Sequence, residues 1–166
     1  MTDPSEAGDR IVSAADELEA ANRDIVGFLG ALTDTEWQAI GTSEGWPLLA
    51  VAYHVADGYR IHMQWLDLLR AGRPVPGTPD DLDAENDRAA ADAKELPKEV
   101  VLRAVETAGR LIVAYVRELG SEELTRSARH GPLGGRDVSV DLVLDIAPWH
   151  VREHLRNMGA AVGRAP

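Results

Sequence analysis

The chain has 166 residues, of which 45% are apolar and 27% charged, a globular composition at a length that can bury a core within one domain spanning 1–166. Its formal charge of −11, from 28 acidic against 17 basic residues, argues against binding to nucleic acid or to an anionic membrane surface. The absence of cysteine excludes disulfides, thiolate metal ligands and a cysteine nucleophile from the chain itself.

Met1 to Arg10 is polar and acidic, unlike a signal peptide, and no apolar run approaches the length of a membrane span, so a cytoplasmic location is expected. From about Pro4 to Leu32, Ile11, Ala15, Leu18, Ala21, Ile25 and Leu29 recur at threes and fours, the stripe of an amphipathic helix. Thr33-Asp34-Thr35-Glu36 starts a short turn or helix with Trp37 behind it, and Gly41 to Gly45 reads as a loop. Pro47 suits a first helical position, and the second long helix runs to about Ala71, where Gly72 can end it.

After a Pro-rich loop over Arg73 to Pro79, the acidic, Ala-rich stretch Asp80 to Glu95 predicts a weakly buried helix. A third long helix spans about Lys98 to Leu119, with Val101, Val105, Ala108, Ile112, Tyr115 and Leu119 on one side. Ser121 to Asp137 is a linking segment, and the last helix runs from about Val138 to Val162. Val138 to Val143 is β-branched enough to read as a strand, but its helical continuation argues against one. Four long amphipathic helices without a convincing strand predict an all-α four-helix bundle, and the long connections after the second and third helices leave its order around the bundle open.

Five histidines carry the chemistry. His150 and His154 are four residues apart on the last helix, so both imidazoles lie on one face, one turn apart. Such a pair can hydrogen-bond within the bundle or share one metal ion, and a third ligand from another helix would leave a half-open site. His54 lies on the apolar face of the second helix with Gly58 one turn on, where missing side-chain bulk suits either a substrate or a close helix. His62 is two turns from His54 and rotated by about 80°, which predicts a partly exposed or packing residue outside the ligand set. His130 sits in the Gly-rich segment Arg129 to Gly135 and is expected to face solvent. Asp57, three residues after His54, is the carboxylate selected as a partner orienting a ligand, with a solvated surface position as its other role; Asp57 or Glu153 could serve as a catalytic base, and Asp145 is also nearby. Trp46, Trp65 and Trp149 are expected in the core.

The chain resembles the DinB/YfiT-like superfamily, which includes the N-terminal domain of mycothiol-dependent maleylpyruvate isomerase. The resemblance rests on Leu32-Thr-Asp-Thr-Glu-Trp37, Glu44-Gly-Trp-Pro47, Tyr53-His-Val-Ala56, Asp83-Ala-Glu-Asn86 and Trp149-His-Val-Arg-Glu-His154, in that order over nearly the whole chain. It implies a four-helix bundle with long connecting loops and a divalent metal held by His54, His150 and His154. Family members with assigned activities resemble thiol-dependent transferases or isomerases using mycothiol, bacillithiol or glutathione; others resemble hydrolases of small molecules.

The leading expectation is therefore a metal-dependent thiol transferase or isomerase acting on a small electrophile, with a low-molecular-weight thiol as cosubstrate. A small-molecule hydrolase and a non-catalytic metal-binding protein are the alternatives. Zinc suits three imidazoles best, and nickel, iron and manganese also fit. A homodimer is the expected assembly, as homodimers are common. Pro148, two residues before His150, predicts a kink or a restart of the last helix.

Overall fold

The computed structural model describes residues 4–41, 43 and 45–164, so the expectations placed on Met1–Asp3, Thr42 and Glu44 lie outside the described residues. Six α-helices are described: α1 (Pro4–Gly30), α2 (Asp34–Trp37), α3 (Leu48–Arg70), α4 (Pro79–Ala93), α5 (Lys98–Arg117) and α6 (Val140–Ala161). Two four-residue strands, β1 (Ser127–His130) and β2 (Arg136–Ser139), lie between α5 and α6.

The helices form where the apolar period is 3.6 and where a side chain relieves the first turn. Ile11, Ala15, Leu18, Ala21, Ile25 and Leu29 of α1 are all buried. Thr33 with Glu36 and Thr78 with Asp81 form capping boxes on α2 and α4, and Ser139 accepts from the Leu142 N–H to cap α6. Burial within α4 is confined to Ala90 and Ala93, as its polar composition predicts.

The four long helices form a bundle in which α1 packs against α5 and α6, and α3 packs against the same two. The first two long helices of the chain therefore face each other across the diagonal. This is the departure from a simple up-down meander that the long connections allow. The α3–α6 contact is antiparallel, since His62, late in α3, meets His150, which precedes His154 in α6.

The expectation of no strand is corrected. β1 and β2 pair antiparallel from Ser127↔Ser139 to His130↔Arg136, so Val138 and Ser139 belong to a strand and α6 starts at Val140. Strands of four residues carry too little periodicity to be read against a helical continuation. The hairpin turn uses Gly134 and Gly135 at φ +79° and +72°, a backbone that favours glycine. The hairpin is then docked by non-local contacts. Val75 in the α3–α4 loop donates to the Arg129 carbonyl and accepts from Gly131 N–H, both at 2.9 Å. A β-carbon on Gly131 would lie 2.0 Å from the Gly77 carbonyl oxygen, so this loop and the hairpin meet at a distance only glycine permits.

Pro148 is buried and α6 runs through it without a restart. The proline has no N–H for the carbonyl four residues back, so the helix loses one internal hydrogen bond just ahead of His150.

Candidate metal centre

The α3–α6 seam brings three imidazoles together. His54 Nε2 and His154 Nε2 each lie 3.1 Å from His150 Nε2, and the donor atoms of the three residues all fall within 4.8 Å of one another. His54 and His154 are buried and His150 is half-buried. Trp46 packs edge-on against the His54 ring.

The spacing suits a shared cation better than a hydrogen-bond network. A ring nitrogen has one in-plane position, holding either a proton or a lone pair, so His150 Nε2 cannot satisfy two neighbouring ring nitrogens at once. Nitrogens at about 2.0–2.1 Å from one ion would be about 2.9 Å apart at a right angle and about 3.4 Å apart at a tetrahedral one. The observed 3.1 Å lies between these limits. Burial, reinforced by the neighbouring His154, His62 and His54, holds the His150 imidazole well below its ordinary pKa, so it remains in the neutral form that binds metals. His150 Nδ1 is buried without a hydrogen-bond partner among the described residues, so the usual carboxylate or carbonyl behind a ligating imidazole is missing there.

Gly58 answers the question its sequence context left open. The gap beside His54 is filled by the His150 ring, and a β-carbon on Gly58 would come within 2.6 Å of His150 Cε1.

The three histidines line a half-open cavity of about 400 Å³ with apolar walls from Ile61, Trp65, Leu82, Leu133, Ile146 and Trp149. Ser43, Asn86, Glu153 and Asn157 add polar groups. Glu153 accepts from Arg156 and Asn157, and Asn157 also donates to Ser43 at 3.1 Å. On α6 the cavity residues His150, Glu153, His154 and Asn157 follow the spacing of one helical face, a signal legible in the sequence beyond the histidine pair.

Asp57 faces a different set of partners. Its carboxylate accepts from Arg60 Nε at 2.8 Å, and Arg60 Nη2 reaches Glu85 of α4 at 3.0 Å, an ion-pair chain that ties α4 to α3. The carboxylate among the cavity-lining residues belongs to Glu153.

His130 and Trp149 are corrected, while His62 takes the packing role among the two expected for it. His62 is 4% exposed, lines the cavity and packs edge-on against Trp65 and His150; burial and the nearby His54 and His130 push its pKa down to about 4. Its rotation from His54 is compensated by α6, which passes both. His130 is fully buried rather than solvent-facing: its ring meets Trp65 edge-on at 4.3 Å and its Nδ1 accepts from the Leu133 N–H. Trp149 is 60% exposed at the cavity rim rather than in the core, because its face of α6 is turned out of the bundle.

Fold and site together define a class: a four-helix bundle with an atypical helix order that carries a three-histidine group able to hold a metal ion in a side cavity. The chain belongs to the DinB superfamily, whose family model matches residues 17–158. Among solved structures it is similar to YfiT from Bacillus subtilis, described as a probable metal-dependent hydrolase with an unusual four-helix bundle topology. That likeness has a TM-score of 0.75 at 17% identity and covers 93% of this chain and 89% of the other. No curated protein matches the sequence.

Proposed function

We propose that the protein is a divalent-metal-dependent hydrolase of a small, neutral molecule, with His54, His150 and His154 as the metal ligands. The observation that carries this reading is the convergence of three histidine ring nitrogens, two of the pairs 3.1 Å apart, at the wall of a cavity large enough for a small molecule. A divalent cation, when bound there, supplies Lewis acidity, which polarises a substrate carbonyl and makes water nucleophilic near neutral pH. The protein's own groups do the rest. The three imidazoles would hold the ion from one side and leave the cavity side open to substrate. Glu153 is positioned on the wall to take a proton from the attacking water, and Arg156 and Asn157 orient its carboxylate. The apolar wall holds the substrate body and limits access of bulk water.

Thiol transfer, the first expectation from the sequence, is the second reading, because a cation held by three imidazoles would keep positions open to a thiolate as readily as to water. The size of the cavity supports the hydrolytic reading. Its volume is at the small end for a ligand site, and a thiol cosubstrate would have to share it with the electrophile. Asp57 is given no role in either scheme, because Glu153 and not Asp57 is among the residues lining the cavity.

The test is metal stoichiometry after reconstitution with zinc, nickel, iron or manganese, followed by turnover of ester and amide panels with and without added low-molecular-weight thiol. Near-stoichiometric metal with turnover in water alone supports the hydrolase. Turnover that requires the thiol supports transfer instead. Protein that takes up no metal overturns both.

A further inference from the structure

Asn86 lies on α4, away from the histidines in sequence, yet it lines the same cavity. Its side-chain oxygen is buried and has no hydrogen-bond partner among the described residues. A buried amide oxygen left unsatisfied forfeits its hydration without recompense, so such an atom in a binding cavity points to a donor brought by the ligand. The helix that carries it is held in place from three directions. The Arg60–Glu85 ion pair ties it to α3, Ala90 and Ala93 pack into the bundle, and Gly77, just ahead of its first turn, is pressed against Gly131 of the hairpin. Asn86 is thus presented by a fixed element.

The remaining wall narrows the ligand further. No lysine or arginine is among the described residues lining the cavity, and its charged side chain is the carboxylate of Glu153. A carboxylate or phosphate on the substrate would find no cation from the chain and would face Glu153. Six apolar residues, two of them tryptophans, offer an apolar body a place to pack.

We propose that Asn86 is a specificity-determining residue that accepts a hydrogen bond from an N–H of the substrate, and that the substrate class is a neutral amide with an apolar, ring-sized body. This rests on the proposed hydrolytic site for its chemistry but not for its recognition. In hydrolysis of such an amide, water adds its oxygen to the carbonyl carbon, the C–N bond breaks, and the nitrogen takes the proton that Glu153 removed from water. The products are a carboxylic acid and an amine.

The experiment is a titration of the protein with benzamide, N,N-dimethylbenzamide and benzoate, read by the fluorescence of the cavity tryptophans. It is run on metal-loaded and chelator-treated protein. Benzamide is expected to bind about tenfold more tightly than its dimethyl analogue, the value of one hydrogen bond, and benzoate more weakly than benzamide in the metal-free protein. Asn86→Leu should abolish the difference between the two amides, and Asn86→Asp, which keeps an acceptor, should retain it. Equal affinity for the two amides, a preference that survives in Asn86→Leu, or no saturable binding of benzamide overturns the proposal. The metal-free arm separates the two readings: a donor preference that follows Asn86 in a protein that binds no metal supports recognition while the hydrolase reading fails. Full metal occupancy without donor preference does the reverse.

Discussion

The imidazole of His150 occupies the space beside Gly58 that any other side chain would claim, with Cε1 2.6 Å from where a β-carbon would stand. The glycine of one helix and the histidine of the other form a single fitted contact, and that contact sets where the third ring nitrogen points.

Gly58→Ala is therefore expected to act on the site rather than on the fold. In a helix the change by itself stabilises by about 0.5–1 kcal/mol. At this position the new methyl pushes the His150 ring away from His54 and His154, and metal affinity should fall about 10- to 100-fold, the range seen when the support behind a ligand is lost. Competition with a chelator measures the affinity and thermal unfolding of the metal-free protein measures the fold. Unchanged affinity would show that the ring has room to move without loss.

His150→Ala and His62→Ala separate ligand from neighbour. Both residues line the cavity and their rings lie 5.4 Å apart, centre to centre. The first substitution removes the nitrogen that faces both other imidazoles and should eliminate stoichiometric metal. The second should leave the metal in place and cost packing against Trp65 instead. Equal losses of metal in the two variants would contradict the ligand set His54, His150 and His154.

His130 predicts a pH dependence of stability away from the metal site. Burial, with a smaller contribution from Arg136, lowers its pKa from 6.5 to about 4, and His62 also faces it across the Trp65 cluster. Between these values the unfolded chain binds the proton and the folded one does not. The neutral state's contribution is thus fully present above pH 6.5 and is lost as pH falls towards 4, at most about 3 kcal/mol. His130→Asn keeps an acceptor for the Leu133 N–H and should flatten the slope of unfolding free energy over that interval. Chemical denaturation at a series of pH values reads the slope, and an unchanged slope would place the acid sensitivity elsewhere.

Much of the fold is legible in the chain because it is decided locally. The α1 stripe, the Thr33–Glu36 cap and the weakly buried α4 follow from periodicity, capping chemistry and composition. The hairpin escaped because its strands are short and its stability comes from Val75 and Gly77, some fifty residues earlier in the chain. His130 follows the same pattern: glycines around it suggest solvent, while Trp65 buries it.

Helical periodicity alone puts His150 and His154 on one face with Glu153 and Asn157, because side chains three, four and seven residues apart must align on any α-helix. It could not determine which other groups that face meets. The antiparallel packing of α3 against α6 brought His54 into the cluster and His62 beside it, and Gly58 set how closely the helices approach. α4, held by Arg60 and the docked hairpin, carried Asn86 to the cavity wall. Those are contacts between segments distant along the chain, and only their mutual packing in three dimensions decides them.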